Sequence, residues 1–293
     1  MPQPHNVIAI VYDYDRTLSP KSMQDDVLFH RIGTNGGRFW PAVERLKVEK
    51  TYDDELAWIR LLLENPAFRA LSNRDLENMG QELGFYPGVP EVFGGLDETL
   101  SRERYTGHGI TLEHYIVTSG LKALLSGSVL AHKVRRIFGC ELDEDSDGLV
   151  CWPKRVVSHT GKTQYLFRIT KGLEYLDLSR DVNDHMPDED RRIPFHNMIY
   201  IGDGPTDVPC FAVITSRGGK ALAVYDPSNP ASFKTCMSLR EAQRVDEIAE
   251  ADYRPNTHLR RLLEYMVTQM ADSIVAEHES EHRSRVIQAP THS

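Results

Sequence analysis

The sequence predicts an α/β fold: a doubly wound parallel sheet with a helical cap domain inserted after the first strand. Three observations predict it. The apolar runs at 7–12, 115–118 and 198–201 are continuous rather than alternating, as in strands covered on both faces. Each run ends in a polar cluster, the place where open parallel sheets hold their ligands. Helical periodicity fills much of the chain between the runs, and no strand is expected between residues 20 and 105.

Taken in order, Val7-Ile8-Ala9-Ile10-Val11-Tyr12 is the first strand. Residues 18–34 turn polar and irregular, and Gly33 to Gly37 reads as a loop. Residues 38–86 are helical throughout. Thr51-Tyr52-Asp53-Asp54 has a capping pattern, followed by Tyr52, Leu56, Ile59 and Leu63 at helical spacing; Ser72-Asn73-Arg74-Asp75 is a second start. Pro87-Gly88-Val89-Pro90 marks a turn back toward the first domain. The second strand is 115–118, followed by a helix over 121–137, a short strand closing near Leu142 and a hairpin turn from Asp143 to Gly148. An extended piece begins at Val156, Lys162 opens an amphipathic segment, and 172–196 is a polar surface insertion. Strand 198–201, helix 206–215 and strand 221–225 complete the pattern. From 238 the chain is helix-prone, and its final dozen residues are expected to be disordered. The expected division is a discontinuous core of 1–20 and 106–240, a helical cap of 21–105, and a C-terminal helical segment with a polar tail, 241–293.

Composition narrows the function. The chain has 293 residues, 40% hydrophobic and 26% charged, which suits an ordinary globular protein. A net charge of −9 with no basic run argues against nucleic acid or an anionic membrane surface as partner. The four cysteines, Cys140, Cys151, Cys210 and Cys236, form no C-x-x-C pair and no disulfide framework. With no basic leader and no apolar stretch near the ~20 residues of a membrane span, a cytoplasmic location is expected. Oligomeric state is not encoded in any of these features.

The polar clusters carry the chemistry. Asp13-Tyr14-Asp15-Arg16-Thr17 follows the first strand, Thr118-Ser119-Gly120 the second, and Gly202-Asp203-Gly204-Pro205-Thr206-Asp207 the third, with Lys162 between the last two. Hydrolysis of a phosphomonoester needs a nucleophile, an acid for the leaving oxygen, and positive charge for the equatorial oxygens. Asp13 is the candidate nucleophile and Asp15 the general acid and later base. The Ser119 hydroxyl and backbone N–H groups near Gly120 are candidate phosphate donors, and Lys162 the neutralising cation. Asp203 and Asp207 are hard oxygen ligands suited to Mg²⁺. Gly202 and Gly204 let the backbone pass close to the metal. Arg16 either touches substrate or faces solvent.

This order of motifs resembles the haloacid dehalogenase superfamily of phosphoryl-transfer enzymes, in its phosphoserine phosphatase-like branch, over roughly residues 6–20 and 108–228. Asp13 and Asp15 match its D-x-D-x-T/V motif, Ser119 its hydroxyl motif, Lys162 its lysine, and Gly202-Asp203-Gly204 with Asp207 its acidic motif. The resemblance implies Mg²⁺ held by the Asp13 carboxylate, the Asp15 main-chain carbonyl and Asp203, with Asp207 at or just behind the metal. It implies a phosphatase acting on a small phosphorylated metabolite through an aspartyl-phosphate. A phosphotransferase or mutase keeps the same residues, and a non-catalytic phosphate-binding protein is the alternative from another class. Three departures stand out. Arg16 sits where the family often has glycine or serine. The interval from Lys162 to Asp203 is long, leaving Lys171 as the alternative lysine. No glutamate occurs in Ser19 to Gln24, which disfavours phosphoserine as substrate.

Other motifs have structural readings. His278-Glu279-Ser280-Glu281-His282 has the H-E-x-x-H pattern but lies in a charged tail with no third ligand. Asp143, Asp145 and Asp147 begin like a calcium loop, yet Lys154 stands where the bidentate acid belongs. Gly161-Lys162-Thr163 lacks the upstream glycine of a phosphate loop, Val156 being there instead. Phe39, Trp40 and Trp58 are expected in the core of the cap.

Overall fold

The first strand is buried along its whole length: β1 (Val7–Tyr12) has parallel partners on both sides and helices on both faces. This is why its apolar run is unbroken. The structure, a computed structural model, describes residues 4–173 and 182–287.

After β1 the chain makes a π-helical turn, Gln24–Leu28, and then four helices: α1 (Gly36–Lys50), α2 (Asp54–Glu64), α3 (Pro66–Arg69) and α4 (Asn73–Gly80). No strand lies between residues 20 and 105, as expected. The Ser72 box forms as the sequence predicts, with Ser72 accepting from the Asp75 N–H and Asp75 from the Ser72 N–H. The pattern at Thr51 does not. Thr51 ends α1 in a left-handed conformation, and Asp53 begins α2 without a side-chain cap. The face of α2 is displaced accordingly: Leu56 is exposed, while Glu55, Ala57, Trp58, Ile59 and Leu62 are buried. Two short helices, α5 (Glu91–Asp97) and α6 (Glu103–Thr106), lead back to β2 (Thr111–Leu121).

The remaining elements alternate: α7 (Lys122–Gly127), β3 (Arg136–Glu144), β4 (Val150–Arg155), α8 (Lys162–Lys171), β5 (Met198–Gly202), α9 (Val208–Ser216), β6 (Lys220–Tyr225), α10 (Pro230–Glu241), β7 (Glu247–Glu250) and α11 (His258–Ile287). The expected helix over 121–137 is thus shorter, with Ile137 in a strand. The extended piece expected at Val156 is instead β4, which ends at Arg155 and closes the hairpin through Gly148.

The sheet order is β4-β3-β2-β1-β5-β6-β7, parallel except for the β3–β4 hairpin. The direction of winding reverses between β2 and β5, and β1 sits at that switch. Helices α8 and α9 pack together and on β2, β5 and β6, whereas α5 and α11 pack together and on β2, β1 and β7. The segment expected to be a helical tail therefore supplies the last strand of the sheet and a long buttressing helix. Of the final dozen residues, 282–287 continue α11, and 288–293 lie outside the described residues. The expected insertion at 172–196 also lies partly outside them, at 174–181.

Helix α4 is joined closely to α7. A Cβ on Gly80 would lie 1.8 Å from the Leu124 carbonyl oxygen, and one on Gly127 would lie 1.7 Å from that of Glu77. Glycine at both positions lets the two backbones touch.

All four cysteines are free thiols, with Cys140, Cys210 and Cys236 buried. No helix among the described residues is long and apolar enough to cross a membrane.

Candidate active site

Parallel pairing brings the polar clusters together. Tyr12 is in register with Ile116 of β2 and Ile201 of β5, so the residues after each strand emerge on one rim. The Asp13 N–H donates to the Ile201 carbonyl at 2.9 Å, which continues the ladder into the site. Beyond it the chain turns tightly: the N–H groups of Thr17, Leu18 and Ser19 all point at the Tyr14 carbonyl, and Arg16 has φ 59°. Two outside groups hold this turn, the Tyr253 hydroxyl donating to the Thr17 carbonyl at 2.8 Å and the Tyr86 N–H to that of Leu18 at 2.9 Å. Tyr253 lies in the segment that the sequence assigned to a tail.

Asp13, Asp203 and Asp207 form the one group of potential metal ligands found among the described residues, each offering an oxygen within 4.8 Å of the others. Lys162, at the start of α8, reaches Asp13 Oδ1 at 2.9 Å and Asp207 Oδ1 at 2.8 Å while only 1% exposed. Lys171 points elsewhere, donating to the carbonyls of Val182 and Asp184. Asp207 is fully buried; it also accepts from the Tyr200 hydroxyl at 2.7 Å and the Asp203 N–H at 3.1 Å. Its oxygens organise Lys162 and the Asp203 loop. A Cβ on Gly202 would lie 2.3 Å from Asp207 Oδ2, so glycine is required there. Gly204 has no protein atom near the place of a Cβ and an extended φ of −170°, so nothing in the packing there requires glycine.

The electrostatics are those of crowded acids. Burial pushes the Asp13 carboxyl well above its ordinary range; Lys162 pulls it back, and Asp207, Asp203 and Asp15 push it up again. Asp203 is pushed up to about 7 by burial and by Asp207. For Lys162 burial favours the neutral amine, but Asp13 and Asp207 outweigh it and hold the ammonium charged. One cation among three acids leaves an excess of negative charge. The oxygen-only donor set therefore fits a hard divalent cation such as Mg²⁺.

The Asp15 carboxylate is not among the three grouped acids; it lines the same cleft and accepts the Met23 N–H at 2.8 Å. Burial raises it to about 6, with the Met23 N–H lowering it in part. Ser119 lines the cleft, and its Oγ is buried without a hydrogen-bond partner. Gly120 does not line the cleft. Strand β2 continues through Leu121, and the Gly120 N–H donates to Thr118 Oγ1 at 3.0 Å, so the expected helix-start anion site does not form there. Arg16 is exposed and on the cleft wall.

The cleft holds about 520 Å³, within the range for small-molecule sites. Its other wall comes from the helical segment, through Gln24, Trp40, Glu55 and Trp58, with His159 from the loop before α8. Sequence reasoning missed Gln24, Glu55 and His159. The one available signal was an acid, Glu55, beside the apolar face of α2. Phe39 packs in the core as expected, against Phe29 and Trp40; Trp40 and Trp58 do so too but also face the cleft. The H-E-x-x-H stretch lies on α11, where His278 Nε2 is 2.7 Å from the Pro4 carbonyl, and it forms no metal group among the described residues.

These features define an open α/β core with a buried cluster of acids and one lysine at its strand ends, and comparison with solved structures agrees on the fold. A phosphoserine phosphatase held as a phospho-aspartyl intermediate analogue is 14% identical, with a TM-score of 0.54 over 89% of this chain and 99% of that one. A haloacid dehalogenase-family hydrolase from Salmonella enterica serovar Typhi is 16% identical, with a TM-score of 0.52 over 80% of this chain and 66% of that one. A probable phosphoserine phosphatase from Vibrio cholerae is 15% identical, with a TM-score of 0.54 over 93% and 68%. The fold is that of the haloacid dehalogenase superfamily in its phosphoserine phosphatase-like form. No family model matches the sequence. An uncharacterised protein of Borreliella burgdorferi is 31% identical over 288 residues, 88% of this chain and 96% of its own length, and this chain belongs to the same family.

Proposed function

We propose that the protein is a Mg²⁺-dependent phosphatase of small phosphorylated metabolites, working through an aspartyl-phosphate on Asp13. The observation that carries this reading is the convergence of Asp13, Asp203 and Asp207 at the strand ends, with Lys162 bridging Asp13 and Asp207 and with Asp15 and Ser119 on the same cleft. Residues 21–105 are read as a cap, since they supply the cleft's second wall.

Mg²⁺ would be held by the carboxylates of Asp13 and Asp203 and the main-chain carbonyl of Asp15, with Asp207 behind them, and would supply positive charge against the phosphate dianion. Lys162 adds an ammonium beside Asp13, lowering the repulsion between nucleophile and phosphate. The Ser119 hydroxyl donates to a phosphate oxygen. An Asp13 oxygen attacks phosphorus; its O–P bond forms as the ester O–P bond breaks. The departing oxygen takes the electron pair and the proton from Asp15. Asp15 then removes a proton from water, which attacks phosphorus and releases inorganic phosphate and the free Asp13 carboxylate. A carboxyl raised to about 6 serves both duties near neutral pH.

Phosphate release from p-nitrophenyl phosphate, with and without Mg²⁺, tests the reading. Release is expected only with the metal and is abolished in Asp13→Asn with the fold retained. Unchanged turnover in Asp13→Asn overturns the mechanism. Transfer of the phosphoryl group to an added alcohol, with no release to water, replaces hydrolase by phosphotransferase.

A further inference from the structure

We propose that the face of α8 opposite Lys162 carries a second ligand site, in which Arg168 and Arg191 hold the phosphate group of an organic phosphate. The site lies outside the catalytic cleft and does not depend on the phosphatase reading.

Two guanidinium groups carry the inference. Helix α8 buries Lys162, Tyr165, Leu166 and Ile169 on one face. Its other face, with Gln164, Phe167 and Arg168, borders a cavity of about 620 Å³ that Arg191 lines from the segment before β5. Among the described residues the Arg168 guanidinium has no hydrogen-bond or ion-pair partner, and its Nε is buried. Arg191 Nε is paired with Asp188 Oδ1 at 2.6 Å, and its guanidinium carbon lies 5.8 Å from the centre of the Phe195 ring. Its Nη1, however, is buried without a hydrogen-bond partner. The Asp188 side chain is 83% exposed, so water screens its charge and the pair offsets Arg191 only in part. Buried donors without acceptors carry a desolvation cost that native proteins rarely leave standing away from a ligand.

The charge around the cavity sets the sign of that ligand. No acid is among the described residues that line it. Lys171 borders it too, but its ammonium is taken up by the carbonyls of Val182 and Asp184 at 2.7 and 2.5 Å, which do not cancel its charge. Arg217 stands close by, its guanidinium carbon 5.4 and 5.1 Å from the Phe167 and Phe195 ring centres. In a chain of net charge −9 this is a local positive field. Two forked guanidiniums suit the several oxygens of a phosphate group. Inorganic phosphate alone would leave most of the cavity unfilled. Phe167 and Val182 give the remainder an apolar wall, and the Gln164 amide offers a donor and an acceptor, so the phosphate belongs to a larger organic molecule.

The test is isothermal titration calorimetry on the full chain in EDTA, where the excess of acids in the metal-free cleft repels anions. AMP, inorganic phosphate and adenosine are the probes. One AMP is expected to bind per chain, about fivefold or more tighter than inorganic phosphate, and adenosine is expected not to bind. Arg168→Gln and Arg191→Gln are each expected to weaken AMP binding about fivefold or more, whereas Ser119→Ala, in the cleft, leaves it unchanged. Should Arg191→Gln not fold, Arg168→Gln decides. AMP binding no tighter than inorganic phosphate, with both lost in Arg168→Gln, overturns the organic ligand and keeps the anion site. Absence of binding by both at millimolar concentration, adenosine binding as tightly as AMP, or AMP binding that only Ser119→Ala weakens overturns the site.

Discussion

Lys162 Nζ lies 2.9 Å from Asp13 Oδ1, and both side chains are almost wholly shut off from solvent. The pair joins the loop after β1 to the first turn of α8. Removing one partner leaves the other charge buried and uncompensated, which typically costs about 3–5 kcal/mol. Lys162→Met is therefore expected to lower the urea midpoint markedly and to reduce kcat on p-nitrophenyl phosphate by roughly two orders of magnitude or more. Lys171→Met, outside the cleft, is expected to keep kcat within about twofold. The reverse ranking of the two variants would remove Lys162 from its role.

Gly202 and Asp207 make the second prediction. Alanine at 202 would drive its Cβ into the Asp207 carboxylate, 2.3 Å away. The carboxylate must then shift, disturbing Lys162, Tyr200 and the Asp203 N–H together. Gly202→Ala is expected to destabilise by about 1–3 kcal/mol and to reduce kcat at least tenfold. Gly204→Ala, in open space, is expected to change the denaturation midpoint little. Equal stability of the two variants would contradict the packing described.

Metal removal should be visible without any assay of turnover. A ligand bound only by the folded state at ~100 times its dissociation constant adds about 2.7 kcal/mol. Mg²⁺ is thus expected to raise the melting temperature of the wild type, and EDTA to reverse the rise. Asp203→Asn is expected to lose that response. Because burial and Asp207 push the Asp203 carboxyl up to about 7, its charge opposes folding without metal. Metal-free Asp203→Asn should then melt above the metal-free wild type near pH 8. A lower melting point would show that Asp203 is satisfied without a cation.

Acid sensitivity is predicted from Glu113 on β2. Burial favours its neutral form, but hydrogen bonds from Arg192 and Tyr115 and the nearby charges of Arg192 and Arg135 outweigh this and hold its carboxyl below the usual range. A depressed folded-state pKa stabilises the protein above the unfolded value, near ~4.3, and that stabilisation is lost as pH falls through the lower folded value. Glu113→Gln is expected to be less stable than wild type at pH 7, and the gap to narrow below about pH 4.3. Urea midpoints at pH 7 and pH 3.5 measure it; a gap that widens in acid would refute the assignment.

Closely packed glycines give the last prediction. Gly127→Ala places a methyl 1.7 Å from the Glu77 carbonyl oxygen and must separate α4 from α7. A loss of about 1–3 kcal/mol is expected, read as a lower urea midpoint. An unchanged midpoint would mean that the two helices part without cost.

The strands that build the site were legible because each is short, apolar and buried on both faces, so its signal is local. The acids 13, 15, 203 and 207 could be singled out as candidates because they follow strand ends, whereas local spacing did not separate Lys162 from Lys171. Gly120 was misread because the strand continues past its apolar run to Leu121, and nothing in the run marks that. Strand β7 was missed because a sheet edge four residues long looks no different from a loop within a helix-prone segment.

By itself the sequence determined the layered α/β architecture and the helical character of the segment after the first strand, and marked the candidate acids at the strand ends, since apolar periodicity and strand-end polarity act over neighbouring positions. Only the tertiary structure decided which lysine faces Asp13, that Tyr253 braces the turn after β1, and that Gln24, Glu55 and His159 share the cleft with it. Those outcomes depend on contacts between segments far apart in the chain, where helix crossing and strand order, rather than local spacing, set which side chains meet.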